Sequence, residues 1–183
     1  MRALPSALII CLLAPTVALA QDNSNPLSTF NRTVYGAVKN ILLHSAEKMP
    51  EGNYNFKPTD AVRSYGQIIG HLSDAQYMFC STELGEKNPD LKIEQTRSSK
   101  ADLIAALKGA FAYCDKAYES MNDASAPQMV KLFGNDIPKL GVLTANNMHD
   151  LEHYGNLVTY MRLKNVVPPT SEPGFQPMPP PRK

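Results

Sequence analysis

The chain has 183 residues, with 18 Lys and Arg against 17 Asp and Glu, and 43% of its residues are hydrophobic. A formal net charge of +1 without a clustered basic stretch argues against a nucleic-acid-binding protein, because such proteins neutralise phosphates with grouped Lys and Arg. The length is sufficient for one domain with a substantial core.

The first twenty residues have the pattern of a secretory signal peptide. Arg2 supplies the positive start, residues 7–13 supply the apolar run, and Ala18-Leu19-Ala20 matches a small-x-small cleavage site. The apolar run is too short for a retained membrane span. We therefore expect cleavage after Ala20 and a periplasmic or secreted protein with no membrane attachment. Without Arg2 the mature chain would carry 17 basic residues (18 − 1) and 17 acidic ones.

Apolar residues then recur at helical spacing in four stretches. Thr59 is a predicted N-cap for the second helix and Gly85 its stop, and Ser99 with Asp102 predicts a capped start for the third. The segments 86–97 and 122–136 are predicted to be irregular. The four predicted helices span residues 27–49, about 60–84, 99–121 and 138–165. Residues 21–165 are thus predicted to form an all-α four-helix bundle.

Two further features concern the tail and the cysteines. Residues 166–183 contain seven of the fifteen prolines and are predicted to be an extended tail. Cys80 and Cys114 lie in the predicted mature chain. In an oxidising compartment they can form a disulfide, but sequence does not show whether they approach each other. The sequence therefore leaves two possibilities open, a Cys80–Cys114 disulfide and two free thiols.

The most informative stretch contains His149 and His153, four residues apart on the last predicted helix. Such a pair projects from one helix face, and neutral imidazole is the commonest protein ligand for zinc and similar ions. Helical periodicity places both on a mixed polar face with Asn146 and Asn156, away from the main apolar stripe. A solvated face and a hydrogen-bonded structural pair are the alternatives.

His71 strengthens the metal interpretation. It lies in the middle of the second predicted helix, and small neighbours such as Ser64 and Ala75 would leave room beside it. Facing the pair on the last helix, it would complete three ligands with an open fourth position, as in catalytic zinc sites. His44, late on the first helix, is the fourth histidine, and we expect it to be a pocket wall or an exposed residue.

Residues 149–153 also spell H-x-x-E-H, the inverted zinc-protease signature. In that interpretation Glu152 would activate water and a downstream glutamate would complete the site. Only Glu172 follows, within the Pro-rich tail, so a peptidase is disfavoured.

Four further residues are candidates for the surroundings of the histidines. Asp150 and Glu152 flank the histidine face, where each could orient a histidine side chain or simply be a solvated carboxylate. Asn156 and Tyr160 are candidate pocket walls or substrate contacts, although Tyr160 is equally compatible with packing.

Two segments resemble the DinB/YfiT-like family, and most closely its exported, signal-bearing members. They are Tyr54-x-Phe56-x-Pro58-Thr59 with Val62-Arg63-Ser64-Tyr65-Gly66-Gln67-x-x-Gly70-His71, and His149-x-x-x-His153-Tyr154-Gly155-Asn156 continuing into Tyr160-Met161-Arg162 and Val167-Pro168-Pro169.

The resemblance implies an up-down-down-up four-helix bundle, often dimeric, that holds a nickel or zinc ion through His71, His149 and His153. Its characterised relatives include transferases and isomerases that use low-molecular-weight thiols. The chain departs from the family pattern at Tyr154 and Asn156, where members often carry Arg and Gln, so the thiol chemistry does not transfer directly.

Three functions remain open at this point. The chain is expected to be a metal-dependent enzyme, of hydrolase or thiol-dependent transferase type, acting on a small molecule. The alternatives are a binding module for a metal or small ligand without turnover, and a structural dimer braced by the metal.

Overall fold

The computed structural model of the protein describes residues 24–176. The predicted signal peptide, residues 1–20, lies outside the described residues, and cleavage of this peptide stays a prediction. The last seven residues of the predicted tail also lie outside the described residues. The elements in chain order are α1 (Pro26–Lys48), α2 (Tyr65–Leu84), α3 (Ile93–Thr96), α4 (Lys100–Ser120), β1 (Met129–Leu132), β2 (Asn135–Pro138) and α5 (Lys139–Leu163), with single 3-10 turns at Glu51–Asn53 and Pro169–Ser171.

The four long helices form a bundle around one main core. α1 packs against α4 and α5, and α2 packs against the same two helices, so α1 and α2 lie across the diagonal of the bundle. This arrangement confirms the predicted all-α four-helix fold. Within residues 24–176, no helix combines the length and the apolar character needed to cross a bilayer. The largest fully buried side chains include Tyr54, Tyr65, Tyr118, Phe111, Leu42 and Met49.

Helix α2 begins later than the sequence pattern predicted. Ser64, not Thr59, is its N-cap, and it forms a capping box with Gln67 in which each side chain binds the other residue's backbone amide. The backbone amides of Tyr65 and Gly66 donate to carbonyls of the preceding connector at 2.9 and 2.8 Å. These bonds fold the connector back on α2 and keep residues 59–63 out of the helix.

Residues 129–138 form an antiparallel hairpin where irregular structure was predicted. Leu132 pairs with Asn135, which leaves Phe133 and Gly134 as the two-residue turn. Both have positive φ, 49° and 81°, as a type I′ hairpin turn requires. The usual Asn-Gly signal of such a turn is absent, because a phenylalanine holds its first position. The hairpin ends at Pro138, and α5 begins at the next residue.

A buried disulfide joins α2 to α4. Cys80 and Cys114 are both fully buried, and their Cα atoms lie 5.3 Å apart. The structure thus selects pairing from the two possibilities that the sequence left open.

The predicted extended tail packs against the bundle over its described part. The Tyr154 hydroxyl and the Thr170 hydroxyl lie 2.8 Å apart, and Glu172 forms an ion pair with Lys48. The tail therefore spans from the end of α5 to the end of α1.

Candidate metal centre

The structure brings His71, His149 and His153 together between α2 and α5. One ring nitrogen from each residue lies within 4.8 Å of the corresponding nitrogens of the other two. His71 Nε2 and His149 Nε2 lie 3.0 Å apart. The proximity expected from the sequence is observed, whereas the role of these residues as metal ligands stays a prediction.

The cluster favours neutral imidazoles. Burial, followed by the charge of Arg63, lowers the pKa of His71. Burial, then His153 and His71, lowers the pKa of His149 to about 4, and burial followed by His71 lowers the pKa of His153. Neutral imidazole is the form that offers a lone pair to a metal ion.

The geometry fits a small divalent ion. In a tetrahedral site with metal–nitrogen bonds of about 2.0–2.1 Å, ligand nitrogens lie roughly 3.3 Å apart. The 3.0 Å between His71 Nε2 and His149 Nε2 is close to that value, and the three nitrogens all lie within 4.8 Å of one another. His149 Nδ1 and His153 Nδ1 are buried and have no hydrogen-bond partner within residues 24–176, so no polar contact at Nδ1 orients these two rings. Three histidines leave a fourth position for water or substrate.

Glu94 orients the third ring. Its Oε2 atom lies 3.2 Å from His71 Nδ1, and its Oε1 atom accepts a hydrogen bond from Arg63 Nε at 2.8 Å. A carboxylate at Nδ1 fixes the proton there and directs the lone pair of Nε2 into the cluster. Nothing in the sequence pattern indicates this role for Glu94, because it lies in a charged segment without helical periodicity.

The short helix α3 reaches this position through two contacts with α2. Both carboxylate oxygens of Asp74 accept backbone amides, from Ile93 at 2.9 Å and Glu94 at 3.0 Å. A Cβ atom added to Gly70 would lie 2.7 Å from Glu94 Cα, so only glycine permits this approach. Gly70, directly before His71, therefore lets Glu94 reach the His71 ring.

Asp150 does not occupy the predicted position. It was expected beside the histidines or in solvent, but it is fully buried and accepts two hydrogen bonds of 2.7 Å from Gln76 Nε2. Gln76 in turn accepts from Asn146 Nδ2 at 2.9 Å. Burial raises the pKa of Asp150 to about 8. Asp150 lies on the flank of α5 that faces α2, where the two helices exclude water. It therefore belongs to a buried network with Gln76 and Asn146 and not to the metal centre.

His44 lies outside the cluster. Its ring is half exposed, and Nδ1 lies 3.8 Å from Glu172 Oε2 in the tail. A four-histidine site is therefore not formed.

Two cavities adjoin the histidines, each in contact with different members of the cluster. One, of about 650 Å³, is lined by His153 together with predominantly polar residues. It contains three residues predicted from sequence as pocket or surrounding groups: Glu152, Asn156 and Tyr160. The Tyr160 hydroxyl donates to the Arg63 carbonyl at 2.9 Å. The other cavity, of about 440 Å³, is lined by His71 and His149 with several apolar side chains.

The model of the DinB superfamily matches residues 36–157. An uncharacterised protein of Bacillus subtilis strain 168, YjoA, is 22% identical over 130 residues, which span 68% of this chain and 82% of that protein. A solved DinB-like protein from Bacillus cereus ATCC 10987 superposes with a TM-score of 0.67 at 13% identity, covering 80% of this chain and 95% of the other. The YjoA structure gives a TM-score of 0.58 at 18% identity, covering 85% and 96%. These structural similarities concern the fold.

Proposed function

We propose that this chain, which belongs to the DinB superfamily, binds a divalent metal ion and acts as a metal-dependent enzyme on a small molecule. The observation that carries the proposal is the convergence of His71, His149 and His153 beside two cavities. The metal is proposed to be nickel or zinc, both of which suit imidazole ligands. The reaction is proposed to be hydrolysis or a thiol-dependent transfer.

When bound, the ion would lower the pKa of a water or substrate thiol at its open position and so provide a nucleophile near neutral pH. The chain's own groups have separate roles. Glu94 holds the proton on His71 Nδ1. Arg63, whose side chain is 44% exposed, places a guanidinium beside the histidines, where it would stabilise negative charge that develops on the substrate.

Glu152 is the group proposed to accept a proton during turnover. The other carboxylates lining the polar cavity are engaged, since Asp60 pairs with Lys57 and Glu94 with Arg63. Glu152 has no ion pair among the described residues. It directly precedes His153 in the sequence, and both residues line that cavity. A carboxylate in such a place can take a proton from a nucleophile within hydrogen-bond reach.

The open site favours an enzyme over the non-catalytic alternatives. A binding module or a metal-braced dimer is better served by a closed site with four protein ligands. His44 is the one remaining histidine, and it lies beside Glu172 instead of the cluster. The fourth position and the adjoining cavities are therefore available to water and substrate.

Metal analysis of protein purified without a histidine tag is the primary test. Wild-type protein should contain about one equivalent of nickel or zinc, and the bound metal should raise its melting temperature. His149→Ala should lose both the metal and this stabilisation. His44→Ala is the matched control and should keep both. If His149→Ala changes neither the metal content nor the melting temperature, the assignment of the metal site to these histidines is wrong.

Turnover separates the enzyme from a binding module. Metal-loaded protein would be screened on esters, amides and thiol adducts, with Glu152→Gln expected to retain metal and lose activity by 10²-fold or more, the order of magnitude of a general-base contribution. Full metal content with no turnover on any substrate class would move the proposal to a binding module.

Export to the periplasm is proposed on the basis of the N-terminal pattern, and the Cys80–Cys114 disulfide is consistent with an oxidising compartment. Intact mass spectrometry of protein from the periplasmic fraction should give a chain starting at Gln21. A homodimer is the assembly that the family resemblance implies, and light scattering of the purified mature chain tests it.

A further inference from the structure

The apolar cavity beside His71 and His149 has an aromatic wall that comes from the hairpin. Phe133 is one of its lining residues and is 75% exposed. Its centroid is 6.5 Å from that of Phe79, at an interplanar angle of 83°. Phe79 in turn lies 5.7 Å from the His149 ring. A continuous aromatic surface thus leads from the hairpin tip to the candidate metal centre.

The backbone at Phe133 is disfavoured for this side chain. Its φ of 49° lies in the left-handed region, which Asn and Gly adopt readily and bulky residues rarely do. Strain of this kind is commonly found at functional sites. Packing does not account for the phenyl group, because three quarters of its surface is exposed. The hairpin holds an aromatic ring where Asn would give a more favourable turn and a more soluble surface.

The polar side chains at the rim of this cavity are already engaged within the protein. Asp74 accepts the two α3 backbone amides. Asp90 pairs with Lys92 at 2.8 Å, and the Asn88 side-chain oxygen accepts the Asp90 amide at 3.0 Å. The apolar part of the lining is formed by Ala75, Met78, Phe79 and Phe133. Such a lining has little to offer a charged group and favours an uncharged apolar one.

The cavity at His153 has the opposite chemistry. Its lining includes Lys57, Asp60, Arg63 and Glu152. A molecule reacting at the three histidines would meet charged groups on one side and aromatic carbon on the other.

We propose that the substrate carries an uncharged aryl or branched alkyl group that binds in the apolar cavity, and that Phe133 is the residue that selects it. The reacting bond would then lie at the histidine cluster, with the polar part of the substrate on the side of His153. This assignment rests on the proposed function for the reaction, but binding in the apolar cavity is testable without any reaction.

The test measures binding of N-phenyl-1-naphthylamine, an uncharged apolar fluorophore, to full-length mature protein with and without its metal. Phe133→Asn removes the ring and places a residue that tolerates positive φ in the turn, so this variant should fold at least as well as the wild type. We expect its dissociation constant for the probe to rise about fivefold or more, from loss of an aromatic contact. Metal content should be unchanged.

Two variants serve as controls. Phe30→Asn removes another exposed phenyl ring, 62% exposed on α1 and not part of either cavity lining, and should leave the probe affinity unchanged. Phe133→Trp keeps an aromatic wall and should retain binding. Because the chain has no tryptophan, this variant also carries a single fluorescent reporter, whose emission should shift when the probe binds.

The outcomes separate this proposal from the metal site. Probe binding that weakens in Phe133→Asn but not in Phe30→Asn supports the apolar subsite, even if the protein proves to hold no metal. Equal probe affinity in the wild type and Phe133→Asn overturns it, even if one equivalent of metal is bound. Weakening by the same factor in both Asn variants also overturns it, because binding would then be non-specific.

Discussion

The backbone of Glu94 lies so close to Gly70 that a Cβ atom there would come within 2.7 Å of Glu94 Cα and 3.0 Å of its amide nitrogen. Real Cβ atoms do not approach backbone so closely, so Gly70→Ala must displace α3. We expect weaker metal binding, since Glu94 would lose its alignment with His71, and a loss of stability of about 1–3 kcal/mol from overpacking. Isothermal titration and thermal melts measure the two effects.

Gly36→Ala is the matched control for this substitution. Gly36 lies within α1, and an added Cβ would meet nothing within 4 Å. Alanine there should stabilise the protein by about 0.5–1 kcal/mol through its helix preference. Equal metal affinity in wild type and Gly70→Ala would contradict the role given to this contact.

Glu94→Gln tests the carboxylate itself. The amide oxygen can still accept the His71 Nδ1 proton, but it lacks the charge that makes the imidazole a stronger ligand. Loss of such outer partners typically weakens metal affinity by about 10–100-fold. Competition with a chelator of known affinity measures it. Glu51→Gln, an exposed acid in the 3-10 turn after α1, should change nothing. An unchanged affinity in Glu94→Gln would assign Glu94 to holding Arg63 alone.

Asp150→Asn is expected to stabilise the metal-free protein at high pH. Burial raises the Asp150 pKa from an ordinary value of 3.8 to about 8, so the folded state keeps a proton that the unfolded chain releases. Between about pH 4 and pH 8, this group lowers the free energy of unfolding as the pH rises. Asparagine resembles the protonated acid and does not titrate.

Urea unfolding between pH 4 and pH 9 measures this effect. Asp150→Asn should match the wild type near pH 4 and exceed it by about 5 kcal/mol at pH 8, since each unit of pKa difference corresponds to about 1.4 kcal/mol. Asp136→Asn, which removes a surface carboxylate paired with Lys131, serves as the control and should follow the wild-type profile. Parallel profiles for wild type and Asp150→Asn would mean that Asp150 is ionised in the folded protein.

Removal of the disulfide should destabilise the bundle. Cys80 and Cys114 are 34 residues apart in sequence, and a cross-link closing a loop of that length contributes about 3–4 kcal/mol by restricting the unfolded chain. The double variant Cys80→Ala/Cys114→Ala should melt roughly 10 °C lower. Reductant should lower the melting temperature of wild-type protein but not that of the double variant; any other pattern argues against the cross-link.

The sequence predicted the elements whose signals are local. Helices α1, α4 and α5 follow from apolar periodicity, and the approach of His71 to His149 and His153 follows once α2 and α5 share a bundle. The start of α2 is also readable from the sequence, since Ser64 and Gln67 have capping-box spacing. The hairpin was missed because Phe133 replaces the residue that usually marks its turn.

The surroundings of the histidines depend on tertiary contacts. A helical wheel places Asp150 beside the histidine face, but it does not show which flank of α5 faces α2. The flank of α5 that carries Asp150 faces α2 and is buried. Glu94 reaches His71 from a separate segment only because Gly70 admits its backbone, and nothing in the spacing of residues 86–97 indicates this approach.

The connector between α2 and α4, residues 85–99, supplies parts of both cavities. It provides Glu94 to the polar cavity and Asn88 and Asp90 to the apolar one. None of these three residues belongs to a long helix. In the proposed enzyme, one short connector therefore supplies both the carboxylate that orients His71 and part of the rim of the cavity where Phe133 is proposed to select the substrate. Exchange of this connector with that of a relative would change both features at once on an unaltered helical scaffold, which makes it the natural unit for building chimeras.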